Sequence, residues 1–417
     1  MNCFLSRPKF LTNDVALDLG IILVVGFLSI TWFRGNFLIK SGDSFFGLSP
    51  NFQLTSNSYI WNPVVGSYAQ EIGGLPYYLF MTFLGNIGVP LIVSEKMLFY
   101  FLFTFSGLSM YYLSTVLMGN HQKRLIGLIS ALFYMMNSFT LINIWGNIID
   151  FSTLVFAYAL LPVSLGLFIK GLNTKNFRYL FFILIAWLIG SVAWLNPAFM
   201  IPIVIVLFLY MSFFIMIERK NKAKIIFALK FCFILLLIWL FLNLFWILPA
   251  VSLIAQEYGT AQLSGSYLSV FIGTSSTASI MNNLRLVGYG TLYSNFLGDP
   301  YFTWSGVYLS NPFFIIMSFL IPILAFLALL FNQKDKYTFS LVSLAIIDIF
   351  VMKGAHSPFG ELNLWLFQNV PFAGIFRNSY EKFAMIIPMC YAFLIGSSVW
   401  YLYDHLKKYL ISFGDNQ

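Results

Sequence analysis

Charge is what this sequence most lacks. Only 9% of its 417 residues are Asp, Glu, Lys or Arg, against 59% hydrophobic, and its mean hydropathy is +0.83. Water-soluble chains carry about 25% charged residues, so this composition cannot cover itself with a water-facing surface, and lipid must solvate much of the chain. Cysteine is nearly as scarce. Cys3, Cys232 and Cys390 are scattered, two of them inside apolar runs, which implies neither a disulfide framework nor a cysteine metal site. The basic residues fall in short clusters between apolar runs, so no nucleic-acid module is implied. No internal repeat is visible.

What the chain does have is long apolar runs, each near the ~20 residues that cross a bilayer as a helix. They cover residues 17–33, 97–117, 125–144, 151–169, 179–195, 198–217, 225–249, 312–331, 337–352 and 383–403. Ten such runs predict an all-α polytopic membrane protein, a single transmembrane domain over residues 1–417. The first run follows Arg7 and Lys9, but no small-residue cleavage site comes after it, so it is expected to remain as a span.

An eleventh stretch, residues 75–93, is interrupted by Gly85, Asn86, Gly88 and Pro90. Charge placement decides its role. If it lies along the membrane surface, 15 of the 23 Lys and Arg share one side, among them Arg124, Lys170, Arg178, Lys222, Lys336 and Lys407. Cytoplasmic loops are the ones enriched in such residues. The expectation is therefore two cytoplasmic termini, an interfacial helix at 75–93, and Trp32, Trp145, Trp194 and Trp246 in an aromatic belt at the outer span ends.

That topology leaves three long outer segments, 34–96, 255–311 and 353–382, joined by short basic inner connections. Lipid tolerates no unpaired backbone, so the outer segments must fold over the bundle mouth. Long connections are also where function concentrates. Glu95 beside Lys96, and Glu381 beside Lys382, are expected to be solvated or locally paired. Asp348 is placed to snorkel or to pair with Lys353. Asp43 differs, lying between Gly42 and Ser44 in the polar, aromatic-rich stretch 40–63. From the local sequence alone an Asx turn or helix cap is the simpler account of it, with a catalytic carboxylate as the alternative.

Three blocks carry a family resemblance: GDSFFGLSPN with SYIWNP, then PYYLFMTFLGNIGVPLIVSEKMLFYFLFTFSGLSMYYL, then PFGELNLWLFQNVPFAGIFRNSYEKF. A first span, an outer loop with a lone Asp, a Pro a few residues on, and Tyr59-x-Trp61-Asn62 together resemble the GT-C class of membrane glycosyltransferases. The likeness is closest to the amino-terminal region of the alpha-(1→3)-arabinofuranosyltransferase family, with YfhO-like membrane proteins more distant. It implies inverting transfer of a sugar from a polyprenyl-phosphate donor to a glycan or lipid acceptor, at the extracytoplasmic face of the cell membrane. By that resemblance Asp43 occupies the position of the catalytic base and Asp150 that of a second acid. The chain departs from the family in having no Asp-x-Asp pair, which leaves open whether it works with no cofactor or with a divalent cation, Mg or Mn.

The residues fit that chemistry. A carboxylate within hydrogen-bond reach can take the acceptor hydroxyl proton, and positive charge is needed where the phosphate leaves. Arg377, Lys382 and Arg285 are the candidates for that charge. Arg377 comes first because a planar guanidinium fork matches phosphate oxygens, although anchoring the last span explains it equally. His356 could assist proton transfer or ligate a metal. Tyr59, Trp61, Tyr289 and Trp304 offer ring faces to a sugar, and a packed lid would use them as readily. Prolines within the spans (Pro162, Pro202, Pro322 and Pro388) keep a different class open, a transporter or a lipid or polysaccharide flippase.

Overall fold

The computed structural model describes residues 13–39, 46–59, 61–62, 67–68, 70–118, 124–146, 151–261, 266–332, 335–370 and 373–414, most of them helical. In chain order the helices are α1 Asn13–Gly26, α2 Pro50–Asn57, α3 Leu75–Asn86, α4 Leu91–Met118, α5 Arg124–Met135 and α6 Phe151–Thr174. Then come α7 Arg178–Ile189, α8 Pro197–Ile217, α9 Lys222–Ala261, α10 Ser266–Ser275, α11 Ile280–Leu284 and α12 Ser305–Ser310. The last are α13 Pro312–Phe331, α14 Lys336–Met352, α15 Gly360–Asn369, α16 Ser379–Phe383 and α17 Ile386–Gly414. Among the described residues the only strands form two antiparallel pairs, Trp61–Asn62 with Ser67–Tyr68 and Asn295–Phe296 with Asp299–Pro300.

Among the described residues seven stretches are long and apolar enough to cross a membrane: Asp14–Trp32, Leu91–Met118, Thr153–Thr174, Pro197–Ile217, Lys222–Leu244, Pro312–Phe331 and Ile386–Tyr409. Arg124–Met135 with Thr140–Gly146 makes an eighth if counted as one span bent by 53°. Ten full-length spans are not reached. The run at 179–195 breaks at Gly190, leaving α7 only 12 residues long before a 3-10 turn, and α14 is 17 residues long. Residues 75–93 also divide. Gly88 takes φ +83°, which an L side chain resists, Pro90 follows, and α3 therefore ends at Asn86 while Leu91 opens the next span.

The bend in the eighth span has a visible cause. The segment between Met135 and Thr140 frees backbone groups that lipid cannot satisfy. Asn137 takes up this duty. Its Nδ2 lies within 3.1 Å of the carbonyls of Phe133 and Tyr134, and its Oδ1 accepts the amide of Thr140 at 3.0 Å. Across the interface Tyr134 Oη donates to the Tyr158 carbonyl at 2.8 Å, Tyr158 Oη donates to that of Tyr134 at 2.7 Å, and the two rings stack at 4.0 Å.

The core lies where α4, α5, α6 and α17 pack together. Buried residues make up 83% of the α6 span but only 17% of the α9 span, so α6 is central and α9 peripheral. α17 reaches α5 closely at Gly396, where a Cβ would stand 2.8 Å from the Ile126 carbonyl. Small residues allow such backbone approach between membrane helices.

Contacts sort the helix ends into two faces. At one face Arg124 pairs with Asp14 (3.0 Å) and the buried Asp18 (2.7 Å), Lys170 lies over Tyr112 and Tyr179, Asn173 donates to Tyr337, and Lys224 pairs with Glu218. At the other, Trp32 packs on Phe99, Phe103 and Trp145, Phe302 lies beside Gly146, and Ser138 meets Tyr308. Arg124, Lys170 and Lys224 thus lie at helix ends on one side and an aromatic, hydroxyl-rich crown at the opposite ends.

Candidate functional site

The crown is built from two of the three long segments expected to lie outside. Thr274 of α10 donates through Oγ1 to the Arg377 carbonyl at 3.0 Å, and Ser275 Oγ accepts the Ala355 amide at 3.0 Å. Phe271 stacks on Phe367 at 4.3 Å. Asn363 Nδ2 donates to the carbonyls of Phe350 (2.8 Å) and Gly354 (2.9 Å), and Ser379 Oγ donates to that of Met352 (3.3 Å). Gly354 at φ +55° has no room for a Cβ beside the Ser275 and Ser379 hydroxyls, so only glycine fits there. Segments 266–311 and 353–383 are therefore locked side to side by backbone-directed hydrogen bonds.

Within this frame the predicted cations part company. Arg377 is exposed, its guanidinium 5.2 Å over the Tyr267 ring, with no side-chain hydrogen bond among the described residues. Lys382 is instead buried, its Nζ 3.6 Å from the Phe199 ring centre and 3.6 Å from Glu381 Oε2. Asn378 caps α16 by accepting the Glu381 amide at 3.3 Å and donating to its carboxylate at 2.7 Å. Glu381 and Lys382 are thus locally paired, as their adjacency implies. Arg285 is buried too. Its Nε donates to Ser318 Oγ at 2.6 Å, its plane lies over Phe319, and its Nη2 has no partner. Of the three candidates for phosphate contact, only Arg377 is presented to solvent.

Other expectations change for the same reason, burial. Asp348 neither snorkels nor pairs with Lys353; it is buried with Oδ2 unpartnered, while the buried Lys353 donates to the His356 carbonyl at 2.8 Å. Burial holds the Lys353 ammonium below the usual lysine range, opposed by the nearby Glu361. His356 is half-buried with Nδ1 2.8 Å from the Ser357 carbonyl. Glu95 and Lys96 make no ion pair with each other: Glu95 is buried on the Ile39 amide and Lys96 reaches Gly35.

Among the aromatics, Tyr289 is buried and stacked on Tyr380, which turns it into packing. Trp304 is exposed at 44% and meets Tyr308 edge-on, and Tyr59 is exposed at 67%, so both remain available to a ligand. Trp61 sits in the first strand pair. Asp43 and Asp150 lie outside the described residues. No group of three His, Cys, Asp or Glu able to hold a metal occurs among the described residues.

Burial also picks out groups that the sequence did not. Asn283 is fully buried with both amide atoms unpartnered, and Tyr380 is buried beneath Gly288, its phenol pushed up by burial. Burial likewise pushes Tyr293 up to about 12, against the opposing charge of Arg285. Single polar residues in loops give no signal of such burial. No family model, curated protein or solved structure matches the chain.

Proposed function

We propose that the chain is a GT-C-type membrane glycosyltransferase that moves a sugar from a polyprenyl-phosphate donor to a glycan or lipid acceptor. In this proposal there are ten passes, α7 and α14 crossing as short helices, with both termini cytoplasmic and the crown outside the cell membrane. The observation that carries it is Arg377. It is the one cation of the crown's three candidates held open to solvent, on an interlocked frame, at the end opposite the basic clusters.

The roles follow from the chemistry of inversion. Asp43 takes the proton of the acceptor hydroxyl, the hydroxyl oxygen bonds to the anomeric carbon, and the bond from that carbon to the phosphate oxygen breaks. The polyprenyl phosphate departs with the electron pair, and Arg377 meets its growing negative charge. Trp304 and Tyr59 offer exposed rings to the sugar or the acceptor.

The test uses membranes carrying wild type or Asp43→Asn, supplied with radiolabelled polyprenyl-phosphate arabinofuranose and a panel of other polyprenyl-phosphate sugars. Transfer by wild type and its loss in a normally inserted Asp43→Asn protein are expected. Equal transfer by both proteins removes Asp43 as base, and no transfer by wild type from any donor removes the reaction. A transporter or flippase is the second reading, favoured by the 53° break between Met135 and Thr140, since broken spans line transport sites.

A further inference from the structure

The first span, α1 with its 3-10 extension, ends at Trp32, and residues 33–39 then carry the chain out of the bundle. This exit belongs to no helix or strand; beyond the turn closed by the Phe37 amide on the Arg34 carbonyl at 3.1 Å, side chains help fix its course. Two neighbours near the start of α4 do so. Glu95 Oε2 accepts the Ile39 amide at 3.1 Å. Lys96 Nζ donates to the Gly35 carbonyl at 3.2 Å and lies 5.6 Å over the Phe33 ring. Consecutive helical side chains diverge by roughly 100°, so the pair grips the exit at two points.

Glu95 is an unusual choice for a mere anchor. It is 0% exposed, makes no ion pair among the described residues, and leaves Oε1 without a partner. Burying a carboxylate is unfavourable unless it is paired, so a residue selected for packing alone would be apolar. What the carboxylate gains is one backbone amide, 56 positions away in the chain. Where the described chain resumes, Phe46 is buried at 1% in the core, so the far end of the connection is anchored as well.

We infer that Glu95 is a positioning residue: by holding the Ile39 amide it fixes where the chain enters the first outer loop, the loop on which transfer depends. This rests on the proposed transferase reaction, with Asp43 as base.

The experiment compares wild type, Glu95→Gln, Glu95→Ala, Ile39→Pro and the Glu95→Ala/Ile39→Pro double variant, all purified in nanodiscs. Gln keeps an acceptor oxygen, Ala removes it, and Pro removes the donor while leaving the carboxylate. Hydrogen exchange of a peptide covering residues 33–46 should quicken about tenfold in Glu95→Ala and stay near wild type in Glu95→Gln. With polyprenyl-phosphate arabinofuranose as donor, kcat should fall by up to about 100-fold in Glu95→Ala, the cost a misplacement near 1 Å can carry. KM should hold, Gln should restore the rate, and the double variant should be no worse than the poorer single one. Unchanged exchange in Glu95→Ala, or additive losses in the double variant, would falsify the clamp whatever the activity. A clamp present in exchange alongside an unaltered kcat, or a wild type that transfers nothing, removes the positioning role while leaving the contact real.

Discussion

Single residues at the crown are distinguished by exposure more than by type. Arg377 is the open cation, its guanidinium 5.2 Å from the Tyr267 ring centre, and only arginine offers a planar fork to phosphate oxygens. Arg377→Lys keeps the charge but loses the fork, so a transfer rate about tenfold or more below wild type is expected, measured as kcat/KM for the donor. Lys353 makes the opposite case. Its folded value is depressed by burial, so the unfolded chain binds more protons wherever the pH lies between that value and the ordinary 10.5. Stability therefore rises with pH through that window, and the penalty is fully present below it. Lys353→Met should melt at a higher temperature than wild type at pH 7, with the advantage shrinking as pH approaches 10.5. An advantage that grows with pH would contradict this. The sequence placed Arg377, Lys382 and Arg285 in outer segments, but it could not say which would be open. That depended on Phe199, Ser318 and Phe319, each far off in the chain from the cation it covers.

Among elements, the broken span is the most instructive. Asn137 satisfies three backbone groups at the bend and also donates to Thr140 Oγ1 at 2.7 Å. Asn137→Leu would take this partner from the Phe133 carbonyl and the Thr140 amide inside the bundle, while Tyr158 still holds the Tyr134 carbonyl, and a loss of about 1–3 kcal/mol is expected, read as a lower melting temperature in detergent. Asn137→Asp should fail as well, because it keeps the acceptor and removes the donor. The apolar run through this region was legible as a span, since composition alone decides what lipid will dissolve. Its bend was not, because no Pro or Gly marks it; the only trace is an amide inside an apolar run. Similarly, the end of α3 was foreshadowed by Gly88 and Pro90, whereas the retreat of α7 to 12 residues required knowing that Gly190 would stop it.

On the scale of the molecule, the legible feature was the lopsided distribution of Lys and Arg along the chain, and helix-end contacts set Arg124, Lys170 and Lys224 apart from Arg285, Arg377 and Lys382. Single cysteines on a background lacking Cys3, Cys232 and Cys390 should reveal the two faces in intact cells. Phe37→Cys, Trp304→Cys and Phe359→Cys should react together with a membrane-impermeant maleimide, and Lys175→Cys and Lys220→Cys only after permeabilisation. Mixed labelling within either set would break the two-faced arrangement. One helix sets a further condition. α9 has 40 residues, about 60 Å of rod at 1.5 Å each, beside a hydrocarbon layer of about 30 Å. A helix of that length reaches past the hydrocarbon on at least one side unless it tilts steeply across the bilayer.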